Sequence, residues 1–370
     1  MGIKAGLVGL PNVGKSTLFN ALTKSSVPAE NYPFCTIDPH VAITEVSDSR
    51  QDNLQKIFGS GKQIKTTVTF VDIAGLVKGA ASGEGLGNQF LGHIREVDLI
   101  LHVLRCFDDS KVINTMSEVD PISDYEIIMT ELILKDLEAI HSRLEKIPKQ
   151  IRTAQSKPKE KAELEAEEAL LKQIRVLLDQ ADLKGAKELV RTSNIAMIPL
   201  LATKNSLVIA NFAESDLEGD AYKNSKYYQD LVAKFGQAAV IPVSARLELE
   251  FSQLSSEEVQ ELLDMLNIKE RGLDHIIRSS YTHLGLITFF TCGPKEAHAW
   301  PIKAGMTIRK AAGEIHSDLE RGFICADIYN YRDIAAAGSE NALKSSGKIR
   351  IEGQDYIVQD GDIVNIKFNV

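Results

Sequence analysis

The sequence predicts an α/β fold that is interrupted by a helical insertion and followed by a small α+β domain. Short apolar runs alternate with helical patterns along the first part of the chain, as in a parallel sheet with helical crossovers. A glycine-rich turn, Gly9–Ser16, follows the first apolar run and opens the first helical pattern. Two stretches with heptad-like spacing break this alternation in the middle of the chain, and after Asp274 the pattern changes once more.

The apolar runs are interpreted as buried parallel strands, because each is too short for a helix and most contain β-branched residues. They are Ile3–Val8, Thr67–Val71, Leu99–Leu104, Ser206–Ala210 and Val240–Val243. Helical patterns lie between them, for example Lys15–Lys24 and Leu86–Ile94. The alternation therefore predicts a sheet with helical connections.

The insertion is predicted over residues 124–195, approximately, as two antiparallel helices that pair as a short coiled-coil hairpin. Its apolar residues at heptad-like spacing are Ile140, Leu144, Ile147 and Ile151, then Leu164, Leu171, Ile174 and Leu178. The segment Ser156–Lys159 is the turn between them, and Pro148 is expected to kink or interrupt the first helix. Lys135–Arg191 contains 13 basic and 11 acidic residues, which indicates mixed surface charge. Whether the hairpin only packs or also binds a partner stays open.

The C-terminal part is predicted to be an independent α+β domain over residues 281–370, after a first domain over residues 1–280. Its predicted elements are the strands Leu286–Thr291 and Ala297–Ile302, the helix Thr307–Arg321, and the strands Tyr356–Val358 and Asp362–Val370. The last two strands are expected to join in a hairpin at Asp360-Gly361.

Composition excludes several classes of protein. A net charge of −9 over 370 residues argues against coating nucleic acid by bulk charge, although local basic patches remain possible. The four cysteines (Cys35, Cys106, Cys292 and Cys325) form no CxxC pair, so a disulfide framework or zinc site is not expected. No apolar run approaches the ~18 residues of a membrane helix, and no signal-peptide pattern is present. A cytoplasmic protein that does not bind membranes is expected.

The turn Gly9–Ser16 carries the strongest chemical signal, since it matches G-x-x-x-x-G-K-[ST] between a strand and a helix. Such a loop wraps phosphate oxygens with backbone N–H groups and the positive end of a helix. Lys15 is expected to contact the β and γ phosphates, and the Ser16 hydroxyl to ligate Mg²⁺. The expected nucleotide contacts in this loop are Asn12, Val13, Gly14, Lys15, Ser16 and Thr17.

Two further segments are predicted to complete the phosphate site. Asp72 ends an apolar run, where ligands of α/β sheets bind, and it is expected to hold Mg²⁺ through water. The N–H of Gly75 is expected to contact the γ-phosphate. Thr36 lies in a turn-rich segment and is predicted to close over Mg²⁺ as a switch, so that Lys15, Thr36 and Gly75 form the predicted catalytic set.

The base-reading element is predicted at Asn211–Glu214, after the apolar run that ends at Ala210. A guanine-specific site of this fold has Asn-Lys-x-Asp, in which the Asp carboxylate accepts two N–H bonds from the base. Here Phe212 replaces the Lys, and Glu214 carries the carboxylate one methylene further out. We therefore predict that guanine preference is lost and adenine accepted. The backbone of Ser244, Ala245 and Arg246 is expected to complete the base pocket.

These motifs together resemble the YchF subfamily of Obg-related P-loop ATPases, which belongs to the translation-factor class of GTPases. The matching runs are Gly9–Ser16, Asn31–Pro39, Asp72–Gly79, Gly83–Leu91, Asn211–Glu214, Ala297–Trp300, Ala312–His316 and Tyr356–Phe368. The resemblance spans essentially the whole chain. It implies an OBG-type G domain with a coiled-coil insertion and a C-terminal TGS domain of β-grasp fold. It further implies Mg²⁺-dependent hydrolysis of ATP in preference to GTP, association with the large subunit or whole ribosome, and RNA contact through the TGS domain.

Three positions refine this expectation. Leu76 stands where many related GTPases carry a water-orienting Gln, so intrinsic turnover should be slow. By resemblance Asn12 is a candidate ligand for K⁺, or else only shapes the loop. Asn114 stands where family members often carry a His, so no general base is assigned. Two other hypotheses stay open: an ordinary GTP switch, and a ribosome or RNA scaffold in which hydrolysis is incidental.

Overall fold

The structure is a computed structural model that describes residues 3–26, 40–73, 86–108 and 118–369. The chain divides into two compact units. The larger unit consists of residues 4–21 and 71–269, and the smaller unit of residues 1–3, 22–70 and 270–370. Each unit is described by itself below.

The elements of the described residues follow in chain order. The strands are β1 Ile3–Val8, β2 Val41–Glu45, β3 Lys62–Ile64, β4 Thr67–Asp72, β5 Leu99–Arg105, β6 Asn205–Asn211, β7 Val240–Val243, β8 Leu286–Cys292, β9 Glu296–Lys303, β10 Phe323–Asn330, β11 Arg350–Glu352 and β12 Asp362–Phe368. The helices are α1 Lys15–Lys24, α2 Ser49–Phe58, α3 Leu86–Glu96, α4 Pro121–Thr153, α5 Pro158–Asp179, α6 Leu183–Thr192, α7 Glu214–Leu217, α8 Lys226–Phe235, α9 Ala245–Phe251, α10 Ser256–Met265, α11 Gly272–His283, α12 Ile308–Ile315, α13 Ser317–Arg321, α14 Tyr331–Ala337 and α15 Glu340–Ser345.

A parallel sheet forms the centre of the larger unit, where β1, β5, β6 and β7 are neighbours in that order. All seven residues of β5 are buried, as expected for a strand with helices on both faces. The last two residues of β4, Val71 and Asp72, belong to this unit. The N–H of the next residue, Ile73, donates to the carbonyl of Leu7 at 3.2 Å. The predicted α/β fold with a parallel sheet is confirmed, and the predicted strands match the observed ones to within one residue at each end.

The helical insertion is confirmed as an antiparallel pair, α4 and α5, with α6 added beside it. Ile147 and Ile174 belong to a separate apolar cluster within this hairpin, which also includes residues of α6. The guanidinium of Arg143 donates from Nε to Glu167 Oε1 at 2.8 Å and so joins the two long helices. Of the kink or interruption expected at Pro148, the interruption is wrong, because α4 continues to Thr153, and the kink stays a prediction. The residues Ile147 and Ile151 on either side of it pack in the hairpin cluster, which compensates for the one intrahelical hydrogen bond that a proline removes.

The hairpin is tied to the sheet through a buried carboxylate on α4. Asp136 accepts hydrogen bonds from the backbone N–H groups of Leu201 and Ala202, both at 2.8 Å. Burial raises the pKa of Asp136 to about 6, although these two hydrogen bonds act in the opposite direction. Leu201 and Ala202 lie shortly before β6, so their hydrogen bonds to Asp136 fix the base of the hairpin to the strand that ends at Asn211.

Replacement of Asp136 by asparagine is expected to lower the free energy of unfolding by about 1–3 kcal/mol, because one buried N–H loses its acceptor. Urea denaturation followed by circular dichroism measures this loss. Asp179→Asn, at an exposed position near the end of α5, is the matched control and should unfold like the parent. Equal midpoints for the parent and Asp136→Asn would contradict the assigned role.

The smaller unit contains a sheet of order β11-β10-β12-β8-β9-β3. Successive side chains alternate between two apolar clusters, one on each face. Phe289 packs with Ile308 of α12 on one face, whereas Phe290 packs with Leu54 of α2 and Ile334 of α14 on the other.

Residues 49–64 are thus part of the same compact unit as the C-terminal residues. β3 pairs in parallel with β9, with Gln63 opposite Ala297. The side chain of Gln51 is buried and donates from Nε2 to the carbonyls of Ile64 and Ala297, at 2.6 and 3.0 Å. The predicted domain boundary at residues 280/281 stays a prediction, because the compact units follow packing and not chain order.

Two predictions for the C-terminal part are wrong in detail. The single helix over Thr307–Arg321 is two helices, α12 and α13, because His316 has an extended backbone (φ −163°) and its Nδ1 accepts from the N–H of Asp318 at 3.1 Å. Tyr356–Val358 is not a ladder strand; only Ile357 forms an isolated bridge, to Thr307. β12 instead pairs with β10 and β8, so no hairpin forms at Asp360-Gly361.

Candidate nucleotide-binding site

The carboxyl ends of the parallel strands place three predicted segments at one edge of the sheet. Val8 lies opposite His102, Arg105 opposite Asn211, and Asn211 opposite Val243. The chain therefore leaves β1, β6 and β7 at the same level. This edge is where ligands of α/β sheets bind.

The glycine-rich turn between β1 and α1 depends on close approach of backbone to its neighbours. Gly14 has φ of +96°, and a Cβ there would lie 2.2 Å from Nδ2 of Asn211. A Cβ on Gly9 would lie 2.7 Å from the carbonyl oxygen of Val103. Asn12 also has a left-handed backbone, with φ of +64°. These positions need glycine or a residue that tolerates positive φ, as the backbone of a phosphate loop does.

Lys15 and Asp72 meet in this site. The ammonium of Lys15 donates to Oδ1 of Asp72, and the two side chains are only 9% and 17% exposed. Ser16 follows Lys15 in the first turn of α1 and is exposed, and Thr17 is half-buried. The structure thus brings together the lysine and the carboxylate that the sequence singled out separately.

Asn211 joins the phosphate loop to the segment after β7. Its side chain donates from Nδ2 to the carbonyl of Val13 at 2.8 Å and accepts at Oδ1 from the N–H of Ala245 at 2.9 Å. Only 4% of Asn211 is exposed. Because both ends of the amide are used, Asn211 sets the distance between the two loops. The N–H of Ala245, expected to line the base pocket, is already used by this bond.

Glu214 and Arg246 form an ion pair that the sequence did not predict. Arg246 Nε lies 3.0 Å from Glu214 Oε1, without the geometry of a hydrogen bond. The Arg246 side chain is 82% exposed, whereas Oε1 of Glu214 is buried. The pair could have been found from two opposite charges, each on the third residue after neighbouring parallel strands. Ser244 caps α9, where its Oγ accepts from the N–H of Leu247 at 3.5 Å.

Phe212 points into the protein interior. It is 2% exposed, and its ring centroid lies 5.8 Å from that of Tyr222. Tyr222 in turn packs edge-on against Tyr228, with centroids 4.9 Å apart. An ammonium group at position 212 would therefore have to leave this aromatic cluster. The predicted contact between Phe212 and a base stays a prediction.

Several predicted residues lie outside the described residues: Thr36, Gly75, Leu76, Asn114 and Cys35. Within the ranges that are described, no group of three or more His, Cys, Asp and Glu side chains could hold a metal ion. The same ranges contain no helix that is long and apolar enough to cross a membrane.

His102 lies in the middle of β5, in T-shaped contact with Tyr125 at 4.8 Å between centroids. Burial lowers the pKa of His102 to about 3, so the ring is neutral and packs as a core side chain.

Known proteins similar to this chain cover its whole length. Residues 4–135 match the family model MMR_HSR1, described as a 50S ribosome-binding GTPase, and residues 286–369 match YchF-GTPase_C, described as a protein of unknown function. Two proteins named "Ribosome-binding ATPase YchF", from Bacillus subtilis and Haemophilus influenzae, are each 43% identical to the chain, with full coverage of both sequences. A third, from Buchnera aphidicola, is 44% identical with the same coverage.

A solved structure shows the same fold. The Schizosaccharomyces pombe YchF GTPase is 35% identical, with a TM-score of 0.83 over 99% of this chain and 98% of that one. The resemblance drawn from the motifs is confirmed, and the fold and phosphate loop are those of a P-loop nucleoside triphosphatase. From its phosphate loop to its C-terminal sheet, the chain belongs to the YchF family.

Proposed function

We propose that this chain is a ribosome-associated ATPase of the cytoplasm, which hydrolyses ATP to ADP and phosphate with Mg²⁺ and favours ATP over GTP. The observation that carries the hydrolase assignment is the contact of Lys15 with Asp72 beside the glycine turn. Full-length relatives named ribosome-binding ATPases support the activity and the partner.

In this proposal the loop N–H groups and Lys15 hold the phosphates and stabilise charge on them during transfer. Lys15 then exchanges its contact with Asp72 for phosphate oxygens. The exposed Ser16 hydroxyl and the freed Asp72 carboxylate are oxygen donors of the kind Mg²⁺ prefers, so they fit a Mg²⁺ ion, directly and through water. When bound, Mg²⁺ neutralises phosphate charge. Thr36 and Gly75 are proposed to act at the γ-phosphate, and by resemblance Asn12 is proposed to contact K⁺.

The ATP preference rests on the state of the Glu214 carboxylate. Guanine recognition needs a carboxylate that is free to accept two N–H bonds from the base. In this structure the carboxylate is paired with Arg246 and stands one methylene further out than an aspartate would. Adenine presents an acceptor, N1, beside its amino group, so it lacks the two adjacent donor nitrogens that such a carboxylate accepts from in guanine. The buried Phe212 likewise removes the lysine of the guanine-specific element.

Removal of the Arg246 partner and of the extra methylene of Glu214 is expected to shift the selectivity between adenine and guanine. The double variant Glu214→Asp with Arg246→Ala should reduce the ratio of ATP to GTP affinity by roughly 10-fold or more, since it restores a free aspartate. Calorimetry with both nucleotides in Mg²⁺ buffer measures the ratio. Glu218→Asp is the matched control, with the same shortening at an exposed position. A parent that prefers GTP would refute the proposed ATP preference.

The ribosome association has its own test. Turnover of ATP measured with and without ribosomes, in K⁺ and in Na⁺, separates a stimulated ATPase from a scaffold with incidental hydrolysis. Stimulation is expected, because Leu76 cannot orient the attacking water.

Contact with RNA through the C-terminal residues is a further part of the proposal. Both faces of that sheet are covered by helices, so such a contact would use its exposed edge at β11, where Ile351 is exposed.

A further inference from the structure

The basic residues of the helical hairpin are concentrated at its far end. We call residues 146–161 the hairpin tip; it comprises the last turns of α4, the link, and the first turn of α5. The tip contains six Lys or Arg residues and one Glu, a net charge of +5, in a chain whose net charge is −9. The rest of Lys135–Arg191 has seven basic and ten acidic residues. The balanced total over the whole hairpin therefore conceals a separation of charge along it.

Most of these cations are not neutralised by neighbours. Lys157 and Lys161 pair with Glu160 and Glu165, at 2.9 and 3.6 Å. The other four are exposed, and none has an ion-pair partner among the residues that the structure describes. These four are Lys146, Lys149, Arg152 and Lys159. The first three are spaced three residues apart and so lie along one side of the last turns of α4.

The tip is held away from the anionic part of the larger unit. Asp136 anchors α4 to the loop before β6, and Arg152 lies 16 residues further along the helix, about 24 Å at 1.5 Å per residue. This is about three Debye lengths at physiological salt, so negative charge near the base of the hairpin is largely screened at Arg152. The nearest acidic side chains outside the tip are those of the hairpin itself, Glu145 before the tip and Glu163 and Glu165 after it. The apolar cluster between α4 and α5, which includes Ile147, keeps the two helices together near this end.

The types of side chain exposed at the tip favour one class of binding partner. Apart from Glu160, its exposed side chains are cationic, neutral and polar, or proline, and no large exposed hydrophobic side chain of the described residues lies within it. Insertion into a membrane surface needs apolar residues beside the cations. Tight protein interfaces need buried aromatic or aliphatic anchors. Binding to a phosphodiester backbone needs neither, because released counterions drive it.

We propose that the hairpin tip binds the phosphate backbone of structured RNA, and that it is a contact through which the protein holds ribosomal RNA. This inference rests on the proposed ribosome association. The cations of the tip neutralise phosphates without reading base sequence. Binding is therefore strongly dependent on salt and indifferent to RNA sequence.

The test compares two variants of equal charge change on the same hairpin. The tip variant carries Gln at the four unpaired positions Lys146, Lys149, Arg152 and Lys159. The control variant carries Gln at four exposed basic positions nearer the base, which are Lys172, Arg175, Lys184 and Arg191. Gln preserves helix propensity, and exposed ion pairs contribute little stability, so both variants should fold and retain basal ATPase activity. Affinity is measured for a short synthetic RNA duplex and for purified ribosomes over a range of salt.

Parent and control affinities for the duplex should fall about 100-fold between about 50 and about 200 mM salt, as four phosphate contacts imply. The tip variant should bind both the duplex and ribosomes weakly, with almost no salt dependence. If the parent binds ribosomes and the tip variant binds them equally well with the same salt dependence, the tip inference is wrong while the proposed function stands. A parent that binds no ribosomes overturns both. Loss in the tip variant of binding to phosphatidylserine vesicles, with unchanged RNA binding, would assign the tip to membranes.

Discussion

Replacement of Lys15 by alanine is expected to reduce ATP hydrolysis at least about 100-fold, as loss of a preorganised charge at a reacting group does. Lys15 is the one side chain of the glycine turn that supplies a full positive charge to the phosphates. Its ammonium is already directed into the site, in contact with Asp72. The measurement is release of inorganic phosphate at saturating ATP and Mg²⁺.

Lys24→Ala is the matched control for this experiment, because Lys24 is exposed in the last turn of the same helix. It should hydrolyse ATP like the parent. Thermal unfolding of both variants separates loss of chemistry from loss of fold. Parent-like turnover in Lys15→Ala would mean that the glycine turn is not the hydrolytic site.

Replacement of Asn211 by alanine is expected to have the second largest effect. The carbonyl of Val13 and the N–H of Ala245 would both lose their buried partner. Each such loss costs about 1–3 kcal/mol, so the free energy of unfolding should fall by about 2–6 kcal/mol. The phosphate loop would also lose its fixed distance from the segment after β7, so affinity for ATP should fall at least about 10-fold, the equivalent of about 1.4 kcal/mol.

Urea denaturation and calorimetry with ATP measure these two quantities. Asn205→Ala, at the exposed first residue of the same strand, should leave both unchanged. An Asn211→Ala protein with parental stability and parental ATP affinity would show that the two hydrogen bonds do not position the loops.

Lys15 and Asn211 also show which features of the site can be predicted from the sequence and which cannot. The phosphate loop could be predicted because its chemistry is local. Successive N–H groups, one lysine and one hydroxyl all come from Gly9–Ser16. The strands could be predicted because a parallel sheet buried on both faces needs continuous apolar runs, as in β5.

The rest depended on contacts between residues far apart in the chain. The amide of Asn211 joins Val13 to Ala245, and its predicted contact with the base stays a prediction. The ion pair of Glu214 with Arg246 depends on the register of β6 against β7. No local pattern encodes such distances.

The sequence by itself determined that a P-loop, a parallel sheet and a helical hairpin are present, because each follows from the periodicity or backbone needs of one segment. Only the tertiary structure decided that residues 49–64 complete the C-terminal sheet, that Asp136 anchors the hairpin, and that unpaired cations gather at its tip. Burial and pairing are properties of residues brought together by folding, whereas a sequence pattern reports only on neighbours along the chain.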